Sequence, residues 1–368
     1  MAGKRMVILY VGWNQGTSEY KPERYAEYSE EDLKALSNAT EFVIIPGIYA
    51  NHFVDVQNTN PDNGPTAPKY DENTYITLNG VLEQMATLAT RVHRITNKKI
   101  WLGLPHIPKA QASLSTTAEK NRVLHYTQRW KDCISDLRGK IESWMGEGCF
   151  EKYIEGFYLS HEHILVPGDE TPDYGVTLTA SNPTAHPQVA MLNNVASYIR
   201  NTHGKKVLWI PYYGKWDNWN NTLYSVGVIA NKTNIFDYVI MQPSYYNDGN
   251  VSDPTIDNLY GIRESITLNK VVGRPSAYSV VTGSKTSNTK IGAEMEISNK
   301  HQQSGYADCY ARYVDCFNNT GSLTSKSKHS DYNKSNYDFA FYMDAKYAST
   351  DAAEFQSRLK KVNDFFSD

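Results

Sequence analysis

The chain has 368 residues, 40% of them hydrophobic, so it is long enough to bury a large core. Its formal net charge of −3 comes without any basic block, which excludes the electrostatic footprint of a nucleic-acid binder. No run approaches the roughly 18 apolar residues that a membrane span needs.

In chain order, the apolar run Met6–Val11 reads as part of a first strand, Val7–Trp13, and not as the core of a secretory signal. The chain therefore reads as soluble, and export would require a leader already removed. Ser29-Glu30-Glu31-Asp32 opens a short helix with an acidic first turn, followed by a strand at Phe42–Tyr49. An irregular stretch, Asn51–Tyr75, leads to a helix at Asn79–Asn97 with Val81, Leu82, Met85, Leu88, Ala89 and Val92 on one face. Strand Lys99–Pro105 precedes a long helix, Thr116–Trp144, whose Thr117-Ala118-Glu119 start resembles a cap. Strand Ile154–Ser160 and loop Val166–His186 lead to a helix at Pro187–His203, started by proline and stopped by Gly204.

Strands at Lys206–Tyr213 and Tyr238–Pro243 follow, then a helix opened by Asp253-Pro254. After the loop Arg274–Thr289 come strand Lys290–Ile297, helix Gln302–Phe317, a polar insert at Thr320–Tyr337, strand Phe339–Asp344 and helix Asp351–Phe366. Cys309 and Cys316 lie two turns apart on one predicted helix, too far for an unstrained disulfide. With Cys133 and Cys149 they form no CxxC motif, so all four are expected as free thiols.

Eight nearly continuous apolar strands alternating with helices predict the α/β class and a (β/α)8 TIM barrel. A single domain over residues 1–368 with long βα loops accommodates them. An open doubly wound sheet would need a phosphate loop after the first strand, and Gly12-Trp13-Asn14-Gln15-Gly16 is not GxGxxG.

Barrel enzymes place their chemistry at the C-terminal ends of strands. Those ends read Gly12-Trp13-Asn14, Tyr49-Ala50-Asn51-His52, Pro105-His106 and Ser160-His161-Glu162-His163. The others read Pro211-Tyr212-Tyr213, Gln242-Pro243-Ser244-Tyr245-Tyr246, Glu294-Met295-Glu296 and Tyr342-Met343-Asp344. Carboxylates, amides, histidines and tyrosines are gathered there, with no cationic cluster for phosphate. Glycoside hydrolysis needs two carboxyl groups flanking an acetal carbon, and Glu162 on the fourth strand lies across the barrel from Glu294 and Glu296 on the seventh.

Period-2 geometry puts Glu294 and Glu296 on one face and sends Ala293, Met295 and Ile297 to the helices. Two such carboxylates repel, so one is expected to be raised in pKa or bound by a partner. Glu294, the deeper, is alternatively a structural acceptor held by Lys, Arg or Tyr. Trp13, Tyr49, Tyr212, Tyr213, Tyr245 and Tyr246 are candidates to stack sugar faces, with Asn14, His106, His161, Gln242, Tyr342 and Asp344 as polar contacts. The carbohydrate reading needs no cofactor. Two alternatives stay open: a non-catalytic carbohydrate-binding barrel, and a metal-dependent hydrolase using His161 or His163 with His52 or His106.

Taken together, Gly156-Phe157-Tyr158 with Glu162, Ile210-Pro211-Tyr212-Tyr213, Tyr238-Val239-Ile240-Met241-Gln242-Pro243 and Gly292-Ala293-Glu294-Met295-Glu296 resemble an uncharacterised, glycoside-hydrolase-like family of bacterial TIM-barrel proteins. The resemblance spans roughly residues 5–345. The layout is also similar to that of the clan A retaining glycoside hydrolases, with an acid on strand four and a nucleophile on strand seven. That implies Glu162 as acid/base and Glu294 or Glu296 as nucleophile. Where that clan has Asn-Glu on strand four, this chain has His161-Glu162.

Overall fold

In the computed structural model of the chain, eight parallel strands pair in chain order and the last returns to the first, closing a barrel. The structure describes residues 2–11, 28–46, 72–105, 116–160, 178–213, 219–246, 249–252, 254–274, 281, 283–320, 332–344, 346 and 351–367. The strands are β1 (Arg5–Val11), β2 (Glu41–Pro46), β3 (Lys99–Gly103), β4 (Ile154–Tyr158), β5 (Lys206–Trp209), β6 (Tyr238–Met241), β7 (Lys290–Glu296) and β8 (Phe339–Tyr342). The described helices are α1 (Glu30–Ala35), α2 (Glu72–Thr96), α3 (Thr116–Met145), α4 (Cys149–Tyr153), α5 (Pro187–His203), α6 (Trp219–Lys232), α7 (Ile256–Leu268), α8 (Ser304–Asn318) and α9 (Ala352–Phe366). A helix follows every strand, which is the (β/α)8 order; α4 is an extra turn before β4.

Closure rests on a ladder running from Arg5↔Phe339 to Ile8↔Tyr342. It fixes which alternate side chains face the axis. Met6, Ile8, Val43, Ile45, Trp101, Tyr158, Leu208, Tyr238, Ile240 and Ala340 fill the interior. Their neighbours in sequence, such as Val7, Phe42, Phe157, Trp209, Val239, Met295 and Phe341, pack under the helices in a larger cluster. Two glycines make room for interior side chains. A Cβ on Gly156 would stand 2.4 Å from the Trp101 ring, and one on Gly292 would stand 2.3 Å from Ile240 Cδ1.

All eight predicted strands form, but several stop before their apolar sequence does. Strand β5 ends at Trp209, although residues 210–213 keep the pattern. Past that point only an isolated bridge, Tyr212↔Gln242, continues the pairing. Apolar content marks burial, and burial outlasts the ladder where strands splay toward the mouth. Helix α2 begins seven residues before the predicted start at Asn79, through Glu72–Leu78, a segment in which Asn73, Thr74, Tyr75, Ile76 and Thr77 are weak helix formers. Helix α6 escapes a propensity reading because it carries Gly227. Tertiary packing requires that glycine, since a Cβ there would lie 2.6 Å from Val281 Cγ1. All four cysteines are free thiols, and no described helix is long and apolar enough to cross a membrane.

The two ends of the barrel wall are joined around Asp32. Its carboxylate accepts the Ser29 N–H at 2.8 Å, and its own N–H donates to Ser29 Oγ, a complete capping box on α1. The same carboxylate accepts Lys346 Nζ at 2.5 Å and Gln356 Nε2 of α9 at 2.7 Å.

At the floor, Lys4 enters among the N-terminal strand ends. It pairs with Glu41 and, at 3.4 Å, with Glu155, while its ammonium lies 5.1 Å from the Tyr238 ring centroid. Trp101 Nε1 donates to Glu41 at 2.6 Å, and Lys206 pairs with Glu155 at 2.6 Å. Burial pushes the Glu155 and Asp32 carboxyls up, but hydrogen bonds and charge from Lys206 and Lys4, and from Lys346 and Ser29, outweigh it and hold both below the usual range.

A depressed folded pKa means stabilisation that is complete above the ordinary carboxylate value, about 4, and is lost as pH falls through the lower folded value. Circular dichroism should therefore record acid unfolding beginning below about pH 4. Lys4→Met should lower stability by about 2–3 kcal/mol at neutral pH and flatten that acid limb, because it leaves Glu41 without its cation and Glu155 with Lys206 alone.

Candidate active site

Strand β7 carries two of the candidate carboxylates. Ile291, Ala293, Met295 and Ile297 pack among the helices, which turns Gly292, Glu294 and Glu296 to the axis. Both glutamates are buried, at 1% and 3% exposure. On the β8 side they pair in register with Ala340 and Tyr342. On the β6 side the ladder ends at Met241↔Ala293, so β7 runs on past its neighbour.

Two donors enter beyond the end of that ladder. The Tyr313 hydroxyl, from the buried face of α8, donates to Glu296 Oε2 at 2.6 Å, and the Tyr246 N–H approaches the same oxygen at 3.4 Å. Burial drives the Tyr313 phenol far above its ordinary pKa, and the Glu296 and Glu294 charges push it the same way, so it remains a proton donor. A short bond from a phenol to a carboxylate is of the charge-assisted kind and favours the ionised form of Glu296. The expectation that one of the two carboxylates is bound by a partner is met at Glu296, whose partner is Tyr313.

On β8, Tyr342 meets Tyr10 edge to face, with ring centroids 5.7 Å apart. Burial raises its phenol pKa strongly, and the charges of Asp344, Glu294 and Glu296 raise it further, so three carboxylates act on one hydroxyl. Among the described residues no group of His, Cys, Asp and Glu is arranged to hold a metal ion. The end of β8 is fixed from behind. Buried Arg358 donates to the Met343 carbonyl at 2.5 Å, and its Nε lies 2.8 Å from Glu354 Oε1, which also stands 3.1 Å from His301 Nδ1. Asp344, next in the chain, has φ 56°.

The other candidates divide. Tyr212 is half-buried and bridges to Gln242, whose alternation with Tyr238 and Ile240 turns it inward. Tyr213 is buried with its hydroxyl on the Val272 carbonyl at 2.5 Å. Tyr245 is also covered: its ring packs 5.7 Å from that of Tyr313 and its hydroxyl donates to the Val251 carbonyl at 2.9 Å. It supports the tyrosine that holds Glu296. On β4, Tyr158 faces the interior, Leu159 faces the helices, and Ser160 Oγ donates to the Leu104 carbonyl at 2.6 Å. Trp13, Asn14, Tyr49, His52, His106, His161, Glu162 and His163 lie outside the described residues. Tyr313 was not singled out from the sequence. It falls on a helical stripe with Cys309, Tyr310, Cys316 and Phe317 that reads as core, and only its hydroxyl distinguishes it.

No family model and no curated protein matches the chain. Among solved structures, a modular endo-β-1,4-mannanase of glycoside hydrolase family 26 from Cellulomonas fimi is similar with a TM-score of 0.50 at 13% identity, over 98% of this chain and 70% of that one. A GH5-4 broad-specificity endoglucanase from an uncultured bacterium gives 0.47 at 12% identity, over 96% and 93%. A family 5 glycoside hydrolase from Prevotella bryantii B14 gives 0.42 at 11%, over 98% and 96%. At such identities the likeness is one of fold: this chain has the (β/α)8 barrel that glycoside hydrolases also use.

Tyr313→Phe should lower the free energy of unfolding by about 1.5–3 kcal/mol, the range for a hydrogen bond to a charged group. Urea denaturation should show that loss shrinking in a Glu296→Gln background, because the two side chains are coupled.

Proposed function

We propose that the chain is a glycoside hydrolase cleaving an O-glycosidic bond in a polysaccharide or glycoconjugate, with Glu162 as acid/base and Glu296 as the partner carboxylate. The observation that carries this reading is the pair Glu294 and Glu296, buried on the inner face of β7 at the C-terminal end of the barrel. Burial of a carboxylate there is costly without a purpose. Glu296 is favoured over Glu294 because it lies closer to the mouth and because Tyr313 and the Tyr246 N–H hold one of its oxygens. A nucleophile must stay ionised while it waits, and those donors favour that state. Glu294, one layer deeper, would tune Tyr342 and Glu296 by its charge.

Continuing the β4 alternation through Tyr158 and Ser160 would bring Glu162 to the axis as well. There it would protonate the leaving oxygen while Glu296 attacks the anomeric carbon. A covalent glycosyl-enzyme follows, and Glu162 then deprotonates the water that releases the sugar. Retention by this route needs carboxyl groups about 5–5.5 Å apart, whereas about 6.5–9.5 Å would admit a water and invert. Asp344, Tyr342, Gln242 and Tyr212 would line the sugar site, with Trp13, Asn14, Tyr49, His106 and His161 completing it from the other loops.

A screen of aryl glycosides and polysaccharides tests the proposal. Glu162→Gln and Glu296→Gln should each lower kcat by about 10²–10⁴-fold while leaving the thermal unfolding profile cooperative. Wild-type turnover in the Glu162→Gln protein would sink the assignment. Glycan binding without hydrolysis by the wild type would turn the reading into a binding barrel, and activity abolished by a chelator would turn it into a metal hydrolase.

A further inference from the structure

The segment that ends β6 holds two enclosed polar atoms with nothing among the described residues to bond to: Gln242 Oε1 and Ser244 Oγ. Ser244 as a whole is 1% exposed. Buried polar atoms in folded chains are nearly always paired, so two such atoms two residues apart call for a reason.

The backbone supplies a second, independent signal. Among the described residues, five that are not glycine have positive φ: Asn97, Asn269, Asn319, Ser244 and Asp344. The three asparagines follow the last residues of α2, α7 and α8, where asparagine commonly adopts the left-handed conformation. Ser244 and Asp344 instead follow β6 and β8, on either side of the strand that carries Glu294 and Glu296. Serine has no such habit, and its φ of 56° persists only because the surroundings hold it.

Hydrogen bonds pin the main chain there. The Gln242 N–H donates to the Pro211 carbonyl and the Gln242 carbonyl accepts the Tyr213 N–H, both at 2.9 Å. Asn258 Nδ2 donates to the Pro243 carbonyl at 3.0 Å, and two residues after Ser244 the Tyr246 N–H approaches Glu296. The main chain is committed on both sides while the two side-chain oxygens are left over.

Gln242 Oε1 only accepts, so it calls for a donor; Ser244 Oγ does either. Neighbouring hydroxyls of one sugar ring supply both. Anionic sugars are disfavoured, because Glu294, Glu296 and Asp344 load this end of the barrel with negative charge. We propose that the Gln242–Ser244 segment is a recognition subsite for a neutral sugar ring, with Gln242 Oε1 accepting from one ring hydroxyl and Ser244 Oγ bonding its neighbour. The proposal rests on the carbohydrate reading above and adds its substrate class.

The test uses Ser244→Ala, which keeps the backbone cost, and Ser244→Gly, which relieves it. A structural serine would lower the melting temperature when replaced. A subsite serine should leave it unchanged in Ser244→Ala and raised in Ser244→Gly, while both variants lose about tenfold or more in kcat/KM on the best neutral aryl glycoside. Against the monodeoxy analogue lacking the hydroxyl that Ser244 bonds, wild type and Ser244→Ala should be equal. A lowered melting temperature in Ser244→Ala overturns the proposal. So does an unchanged kcat/KM across the deoxy series, the outcome expected of a fixed water on Oγ, and that result leaves the hydrolase reading standing.

If the wild type hydrolyses nothing, calorimetric titration with neutral oligosaccharides decides. Binding that weakens in Ser244→Ala keeps the subsite while the hydrolase reading falls, and absence of binding overturns both.

Discussion

The ladder that joins β8 back to β1 is the constraint from which the rest of this molecule follows. Once the ring of strands is closed, every strand has an axial face and a helical face, and no residue can choose between them. Strand β7 must then present Gly292, Glu294 and Glu296 to the axis because Ala293 and Met295 are taken by the helix layer. Two carboxylates are forced into a space that water barely reaches. Their burial is tolerable where donors meet them, which is what Tyr313 and the Tyr246 N–H do for Glu296.

The two ends of the barrel handle charge in opposite ways. At the floor, Lys4 and Lys206 neutralise Glu41 and Glu155, and Trp101 contributes an indole donor. This arrangement is self-satisfied and reads as closure. At the mouth, the negative groups Glu294, Glu296 and Asp344 act on a shared tyrosine, and the enclosed oxygens of Gln242 and Ser244 have no partner among the described residues. A barrel commonly divides stability and chemistry between its two faces in this manner.

The outer ring does more than cover the strands. Helix α8 delivers Tyr313 to Glu296, and helix α9 delivers Arg358 to the carbonyl beside Asp344. The Arg358 guanidinium is braced by Glu354, which also lies against His301 in the segment after β7. The left-handed backbone at Ser244 and Asp344 is thus held on elements fixed from behind, which is how local strain persists in a folded chain.

Amino-acid order by itself determined the eight strands, most of the helices and the inward turn of Glu294 and Glu296, because continuous apolar runs and a strict period of two are local properties. It also marked the strand ends where polar and aromatic residues collect. It did not mark where pairing stops, since Ile210 and Tyr213 stay apolar and buried past the end of the ladder. Nor did it mark α6, whose Gly227 answers to Val281 from a different part of the chain. Only the closed barrel decided that Glu296 takes a tyrosine hydroxyl, and that this tyrosine is Tyr313. A phenol on the apolar stripe of a helix looks like core until the strand beside it ends early enough to let its hydroxyl through. That gap is set by the relative lengths of β6 and β7, a relation between segments about fifty residues apart that no local pattern encodes.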